Sequence, residues 1–355
     1  MQRRQPTPPW LRRTSLFSRK KAFIALALVV LSLFLFCYWY MVKCGEKAHG
    51  DPLESRKSAE LVGIKKALET DVAYLQNLGP RNSVNSETYA KLLECEGWIK
   101  QRWQSLGYLV KAQTFRLEGR EYSNLEIELP GRVFPSEIII VSAQYDTLPD
   151  SPGANNNGSG VAILLSLSGL LRNLTPGRTL RLVNFVNEED PFFHTEMMGS
   201  YVYAKRSREL NENIRVMLSL DALGIYTDKP GSQKLPFPFS LIYPNRGNFL
   251  SFIGDFRSRK HMGDVTKGFS KGSSFPIEAG VVPKWVKGAA WSDHVSFWKF
   301  GYPGIMVTDT GGFRSDYHTT KEDTMEKLNF EAMSRIVLGM YCSIVELTRA
   351  EMQKQ

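Results

Sequence analysis

Apolar residues recur along the chain at spacings typical of amphipathic helices and short buried strands. Between residues 58 and 78 they return every three or four positions, which predicts a helix, and a second helix is predicted at 86–106, before Gly107. The run Ile138-Ile139-Ile140-Val141 is short and β-branched, as expected of a strand buried on both faces. A polar loop, residues 142–160, then leads into an apolar run that predicts a helix to about residue 172. This order places the loop at the carboxyl edge of an α/β sheet.

Strands and helices alternate through the rest of the chain. Further strands are predicted at residues 108–117, 122–129, 179–186, 214–220 and 305–309, and further helices at 199–208 and 329–350. The segment 226–288 is punctuated by Gly and Pro, and for it we predict a strand at 239–243, a helix near 248–257 and loops that roof the site. The alternation predicts an α/β fold with a mixed, mostly parallel central sheet and helices on both faces.

One apolar segment precedes this domain. Residues 22–42 carry no charge and, as a helix, would span ~30 Å of hydrocarbon. They end near Tyr38-Trp39-Tyr40, and the seven basic residues before them predict a cytoplasmic amino terminus. A cleaved signal peptide is the alternative, but the run is long and no Ala-x-Ala site follows it. We therefore predict a cytoplasmic tail (1–21), a transmembrane helix (22–42), a linker (43–57) and an extracytoplasmic domain (58–355).

Charge and cysteine content narrow the possible partners. The net charge of +9 belongs mostly to the tail, since the rest of the chain holds 38 basic and 36 acidic residues, so no nucleic-acid partner is predicted. The four cysteines include no Cys-x-x-Cys pair, which argues against a zinc knuckle. Cys95 and Cys342 lie on predicted helices, where they are either two buried thiols or a disulfide.

Acidic residues follow two of the predicted strands and suggest a metal site. The strand at 179–186 runs into Asn187-Glu188-Glu189, and the strand at 214–220 ends at Asp221. Carboxylates and imidazoles are zinc ligands, and a hydrolytic site also needs a general base beside the metal. The adjacent pair Glu188-Glu189 can supply one carboxylate to each role, although two glutamates at a strand end are also common in a solvated loop.

Several blocks resemble, in the same order, the dizinc aminopeptidases of metallopeptidase family twenty-eight, whose fold is shared by the glutaminyl cyclases. The resemblance covers about residues 61–347. The blocks are Tyr145-Asp146, Pro152-Gly153-Ala154-Asn155, Asn157-Gly158-Ser159-Gly160, Asn187-Glu188-Glu189, Met198-Gly199-Ser200, Ser219-Leu220-Asp221, Ser292-Asp293-His294, Tyr317-His318-Thr319-Thr320 and Asp323-Thr324.

The resemblance implies a role for each matching residue. Glu188 matches the general base, and Glu189 matches a zinc ligand. Asp221 matches a ligand of the other zinc ion, whereas His318 shares its ion with Glu189. Asp146 matches a carboxylate that orients a ligand histidine. The residues implied around the substrate pocket are Tyr317, Asp293 and His294.

Two positions depart from the family pattern. Gln144 stands where the family has a histidine ligand, and Asn156 stands where it has an aspartate that bridges both ions. An amide oxygen is a neutral, weak zinc ligand and cannot offset the repulsion between two close dications. We therefore predict that the two-zinc arrangement is lost or weakened, with at most one zinc ion at Glu189 and His318, Asn156 being a possible third ligand. The amides would instead form a polar network with the carboxylates, at least one of which should have a raised pKa.

The sequence thus predicts a membrane-anchored, extracytoplasmic zinc-aminopeptidase-like protein whose catalysis is lost or reduced. Its expected partners are a peptide and, through one helix, the membrane. A non-catalytic peptide-binding or scaffold protein on the same fold is the first alternative. A single-zinc, cyclase-like acyltransferase is the second.

Overall fold

The computed structural model describes residues 9–42 and 44–349 of the chain, and for residues 9–19 only the backbone. The chain divides into two units after residue 43. In the first unit, helix α1 (Pro9–Met41) includes the apolar stretch Lys20–Met41, which is long enough to cross a membrane as an anchor or a signal sequence. Residues 1–8 of the predicted tail, and residues 350–355 at the carboxyl end, lie outside the described part.

The second unit is built on one eight-stranded sheet. Its strands are β1 (Lys111–Leu117), β2 (Arg120–Leu129), β3 (Phe134–Gln144), β4 (Arg178–Phe185), β5 (Asn213–Leu220), β6 (Leu250–Gly254), β7 (Ile277–Val281) and β8 (Gly304–Thr308). They lie in the order β1-β2-β4-β3-β5-β8-β6-β7. The four central strands are mutually parallel, whereas β2 and β6 pair antiparallel to their inner neighbours. The predicted mixed, mostly parallel sheet is confirmed.

Helices cover both faces of this sheet. They are α2 (Ser58–Leu78), α3 (Ser86–Ser105), α4 (Gly160–Leu171), α5 (Gly199–Glu209), α6 (Arg259–Gly272), α7 (His294–Lys299) and α8 (Phe330–Thr348). Helices α2, α4, α6 and α8 pack against one another, and α5 packs against α7. On β3, Ile138 and Ile140 join a buried cluster with Tyr203 of α5 and Phe297 of α7. Because side chains alternate along a strand, Ile139 and Val141 are buried on the opposite face, which explains the continuous apolar run.

The segment 226–288 differs from our prediction. The expected strand at 239–243 is a single 3-10 turn, Phe239–Leu241, and the expected helix near 248–257 is replaced by β6, followed by α6 and β7. The glycines of α6 lower its helix propensity, so the sequence does not predict a helix here, but they allow α6 to pack closely on α8. A Cβ at Gly272 would lie 2.2 Å from the carbonyl oxygen of Leu338. His261, on α6, is buried.

Residues 44–57, within the predicted linker, lie against the domain. The backbone N–H groups of Glu46 and Ala48 donate to Thr266 and Ser270 of α6. Further along, the Glu54 carboxylate accepts hydrogen bonds from Ser273 and Ser274 and from the guanidinium of Arg335. These hydrogen bonds connect three separate segments of the chain.

This contact predicts an acid-dependent loss of stability. Burial raises the pKa of Glu54, but hydrogen bonds from Arg335, Ser273 and Ser274 outweigh it and lower the pKa to about 2. A carboxyl pKa below its unfolded value stabilises the fold at higher pH and loses that effect as pH falls from about 4.5 towards 2. We therefore expect the stability difference between the parent and Glu54→Gln to disappear over this range in urea unfolding. The exposed Glu209→Gln serves as control, and a pH-independent difference for Glu54→Gln would contradict the assignment.

Candidate active site

Three neighbouring strands deliver polar side chains to one edge of the sheet. Gln144 is the last residue of β3, Glu188 and Glu189 lie just beyond the end of β4, and Asp221 directly follows β5. Because β3 lies between β4 and β5 and runs parallel to both, these side chains converge. All four are buried. The structure therefore brings together the strand-end residues that the sequence singled out.

Asp146 fixes the Glu188-Glu189 pair through the backbone. Its carboxylate oxygens accept the backbone N–H groups of Glu188 at 3.1 Å and of Glu189 at 3.0 Å. In the family pattern this carboxylate orients a histidine, but here the corresponding position is Gln144. Asp146 instead stabilises the turn that carries Glu188 and Glu189.

The orientation of Gln144 follows from its neighbour Asn157. The Asn157 Oδ1 accepts a hydrogen bond from the backbone N–H of Ala222 at 3.1 Å, and its Nδ2 donates to the carbonyl oxygen of Leu220 at 2.8 Å. These two backbone partners determine the orientation of the amide, with its oxygen towards Ala222 and its nitrogen towards Leu220. The same Nδ2 donates to Gln144 Oε1 at 2.6 Å. The Gln144 Nε2 must then face the site, where it lies 3.4 Å from Glu188 Oε2. Gln144 therefore presents an N–H donor to the site instead of a lone pair.

Asn156 also presents an N–H donor, in this case to Glu189. The Asn156 Nδ2 donates to Glu189 Oε1 at 2.5 Å. The backbone N–H of Asn156 donates to Asp323 Oδ2 at 2.9 Å, and that of Asn155 donates to Asp323 Oδ1 at 2.8 Å. Asp323, which sequence reasoning gave no role, thus holds the loop that carries Asn156.

These contacts do not fit a two-zinc centre. The Gln144 carbonyl oxygen and one oxygen of Glu189 already accept amide protons, and N–H groups occupy the directions in which metal ligands would be needed. Within residues 9–42 and 44–349, no group of three or more His, Cys, Asp or Glu side chains is arranged to hold a metal ion. Among the described residues, the family's zinc ions therefore have no matching donor set, and a single-zinc, cyclase-like site gains no support.

Burial disfavours the charged form of the carboxylates in this cluster. Burial raises the pKa values of Glu188 and Glu189 well above the usual range, and neighbouring carboxylates add to the effect. Burial also raises the pKa of Asp221 to about 7, although hydrogen bonds to Ser292 and Gln144 oppose it. This agrees with the expectation of at least one raised carboxyl pKa.

The remaining predicted pocket residues are Asp293, His294 and Tyr317. Asp293 is fully buried, and burial, with Asp146 and Asp221 nearby, raises its pKa. His294 donates from Nε2 to the carbonyl oxygen of Ala289 at 2.8 Å. Tyr317 is half-buried, with the ammonium of Lys327 3.8 Å from its ring centroid.

His318 lies at the same edge of the sheet, against the loop that follows β8. A Cβ at Gly311, which has a φ of +48°, would approach the His318 ring to 2.8 Å, so glycine is needed for this packing. Burial lowers the pKa of His318, while Asp309 acts in the opposite direction. Its Nδ1 has no hydrogen-bond partner among the described residues. His318 and Asp221 both line one cavity.

That cavity is the feature that sequence reasoning missed. Its walls are largely apolar and come mainly from the segment 226–288, including β6 and β7, and from β8. The Trp291 and Phe313 rings stack at one side with centroids 5.0 Å apart. Other apolar lining residues are Leu235, Phe239, Phe249, Val282 and Val286. An apolar pocket with a carboxylate and an imidazole at one end suits a ligand with both an apolar and a cationic part.

Comparison with known proteins identifies the family. Residues 124–341, more than half of the chain, match the model described as Peptidase family M28, and the chain belongs to this family. Its relatives include zinc metalloproteases and aminopeptidases.

Three relatives illustrate the similarity. "Uncharacterized protein YfbL" of Escherichia coli is 32% identical over 283 residues, which cover 77% of this chain and 85% of that protein. "Probable leucine aminopeptidase 1" of Trichophyton verrucosum is 27% identical over 258 residues, 67% of this chain and 62% of that protein. The crystal structure of the LapA aminopeptidase of Legionella pneumophila has a TM-score of 0.63 at 16% identity and covers 85% of this chain and 78% of LapA, which shows a shared fold.

The amide network predicts a stability cost for restoring one charge alone. Asn156→Asp replaces the N–H that faces Glu189 at 2.5 Å with a second carboxylate. We expect the free energy of unfolding to fall by about 2–4 kcal/mol in the presence of a chelator, because a buried hydrogen bond is exchanged for like-charge repulsion. Urea unfolding followed by tryptophan fluorescence measures the change. Asn173→Asp, at an exposed position, is the matched control, and equal stabilities of the two variants would contradict the network.

Proposed function

We propose that this protein is a membrane-anchored, extracytoplasmic member of the family that binds peptides without hydrolysing them at a zinc aminopeptidase's rate. The observation that carries the proposal is the pair of amides, Gln144 and Asn156, which donate hydrogen bonds to Glu188 and Glu189 where the family has zinc ligands. Anchoring is supported by the apolar stretch of α1 and by the basic residues that precede it.

The amide network accounts for the loss of hydrolysis. A bound zinc ion would supply activation by lowering the pKa of an attacking water to about 7, and the residues present do not fit that ion. The carboxylate of Glu188 remains in the general-base position, but Gln144 donates to one of its oxygens and burial raises its pKa. Because its pKa is raised, a larger fraction of Glu188 stays protonated and cannot take a proton from a water that no ion activates, so the rate is low.

The cleft nevertheless retains the means to bind a peptide. The apolar cavity would receive a side chain, and its aromatic walls supply contact area. Asp221 lies at one end of the cavity, beside the buried cluster of carboxylates, and would attract the ammonium group of a free amino terminus. The ligand that this arrangement favours is a peptide with an apolar first residue.

Calorimetric titration of the full-length protein in detergent with the tripeptide Leu-Ala-Ala tests this function. We expect binding of the free peptide, weaker binding of its amino-acetylated form, and no cleavage with or without added zinc. Cleavage by the parent protein that disappears in Glu188→Gln would instead establish an active peptidase. Absence of binding to any free-amino peptide with an apolar first residue would also contradict the proposal.

Two tryptophans provide a matched pair of variants. Trp291 lines the cavity and stacks on Phe313, whereas Trp285 is 81% exposed and is not among the lining residues. We expect Trp291→Ala to weaken peptide binding about tenfold or more, because an aromatic wall of the cavity is lost, and Trp285→Ala to leave it unchanged. The dissociation constants from the same titration decide the matter. Equal effects would place the peptide outside the cavity.

A further inference from the structure

A second cavity, of about 370 Å³, lies at the other edge of the sheet. It is bordered by Arg178, the first residue of β4, and by Arg215, near the start of β5, with α6 and the end of α8 on its other sides. The strands run from this edge to the candidate active site over about seven residues, a separation of about 20 Å. The cavity is therefore a separate feature of the fold, and no role proposed above uses it.

Cationic side chains outnumber acidic ones around this cavity. The cations are Arg178, Arg215, Lys267 and Arg349, and the acids are Asp264 and Glu346. Glu346 is already bound by Lys271 at 2.5 Å. The neighbouring Glu137 lies between the two strand arginines, 2.5 Å from Arg178 and 3.5 Å from Arg215. An excess of positive charge therefore faces the cavity.

The cationic side chains differ in how many hydrogen bonds and ion pairs they already form within the protein. Arg178 donates to Glu137 and to the carbonyl oxygens of Leu347 and Arg349, so it ties the end of α8 to the sheet. Arg215 has only the longer contact with Glu137, and Lys267 forms no ion pair within 4.0 Å among the described residues. Arg215 and Lys267 are thus the groups able to turn to a ligand.

His261 adds an unsatisfied polar atom. Its side chain lines the cavity and is only 7% exposed, and its buried Nε2 has no hydrogen-bond partner among the described residues. Burial lowers the pKa of His261 to about 4, helped by Lys260, Arg215 and Arg178, while Glu137 acts in the opposite direction. Buried polar atoms in native proteins are nearly always paired. A neutral imidazole nitrogen beside free cations therefore points to a bound hydrogen-bond acceptor.

We propose that this cavity binds a phosphate group, held by Arg215, Lys267 and the Nε2–H of His261. A phosphate offers acceptor oxygens in several directions, which suits donors that come from a strand and from a helix, and charge-assisted bonds to it are strong. The volume also leaves space for the organic part of a phosphate monoester. That monoester is either a soluble metabolite or the headgroup of an anionic lipid.

Nuclear magnetic resonance of the imidazole groups tests the proposal directly, because the chain has five histidines. The full-length protein in detergent is titrated with inorganic phosphate, with glycerol phosphate and, in a separate arm, with phosphatidate-containing vesicles. The His261 signal is assigned by its loss in His261→Asn. We expect a saturable shift of this signal, with chloride at equal ionic strength causing none. A shift with the soluble compounds identifies a soluble ligand, and a shift with the vesicles alone identifies a lipid headgroup.

Charge-removing variants provide the second measurement. Arg215→Gln combined with Lys267→Gln should weaken phosphate binding at least about tenfold, since two charge-assisted hydrogen bonds are lost. Lys205→Gln, on the exposed side of α5, is the control and should bind as the parent does. An unchanged thermal midpoint in all variants shows that the fold is intact. The proposal fails if neither the soluble phosphates nor the vesicles cause a saturable shift, if chloride reproduces the shift, or if the double variant binds like the control.

Discussion

Replacing Gln144 with His and Asn156 with Asp in the same chain should yield a protein that retains zinc through dialysis and hydrolyses leucine anilide. The parent protein should do neither. The two changes remove the amide donors that face Glu188 and Glu189 and restore the ligand types of the family pattern. Changes outside the ligand sphere alone alter metal affinity 10–100-fold, so restoring two ligands should raise it by more than about 100-fold. Metal analysis and initial rates measure both effects.

The single variants and one further substitution serve as controls. Gln144→His alone lacks the bridging carboxylate, and Asn156→Asp alone lacks the imidazole, so each should bind zinc more weakly than the double variant. Adding Glu188→Gln to the double variant should keep the zinc and reduce the rate by about 10²–10⁴-fold, the usual contribution of a general base. If the parent protein itself retains zinc and turns over substrate, the loss of the metal centre is refuted.

The fold and the convergence of the site residues were predictable because both follow from local patterns. The apolar run that forms β3 and the acidic residues after β4 and β5 can be read from the chain, and parallel strands must end at one edge. The resemblance to the dizinc aminopeptidases implied, in addition, that Gln144 and Asn156 stand at two metal-ligand positions.

The segment 226–288 was not predictable for physical reasons. Strand β6 is stabilised by pairing with β7 and β8, which lie far from it in sequence, and the glycines of α6 are favourable only because α8 packs against them. Local propensity opposes such elements, and tertiary contact overrides it. The apolar cavity is made from the same segment, which is why it too was missed.

The direction of each amide could not be deduced from the sequence either. An asparagine can present a donor or an acceptor, and the choice here depends on backbone groups at Leu220 and Ala222 that hold Asn157. This choice decides whether the site repels or accepts a cation. Under the proposed function, Gln144 and Asn156 present hydrogen-bond donors to the glutamates in place of the family's metal ligands.

Arg81 carries the largest stability effect that we expect from a single substitution. Its side chain is fully buried in the turn after α2, between that helix and the loop that leads to Asn156. The guanidinium donates to the carbonyl oxygens of Leu75 at 2.9 Å, Tyr145 at 3.0 Å and Pro152 at 3.0 Å. It therefore connects α2, the end of β3 and the site loop at one point.

Arg81→Met keeps most of the apolar stem and removes all of these donors. The three carbonyl groups would be left buried and unpaired, and we expect the free energy of unfolding to fall by about 3–5 kcal/mol. Arg81→Lys should lose less unfolding free energy than Arg81→Met, because its ammonium group keeps the charge and can still donate hydrogen bonds. It should nevertheless be less stable than the parent, because an ammonium cannot reach carbonyls on opposite sides as a planar guanidinium does. Arg116→Met removes an exposed arginine that pairs with Glu121 and should cost less than about 1 kcal/mol. Urea unfolding of the full-length variants in detergent gives the comparison. Similar losses for Arg81→Met and Arg116→Met would show that the buried guanidinium does not hold the site loop to the fold.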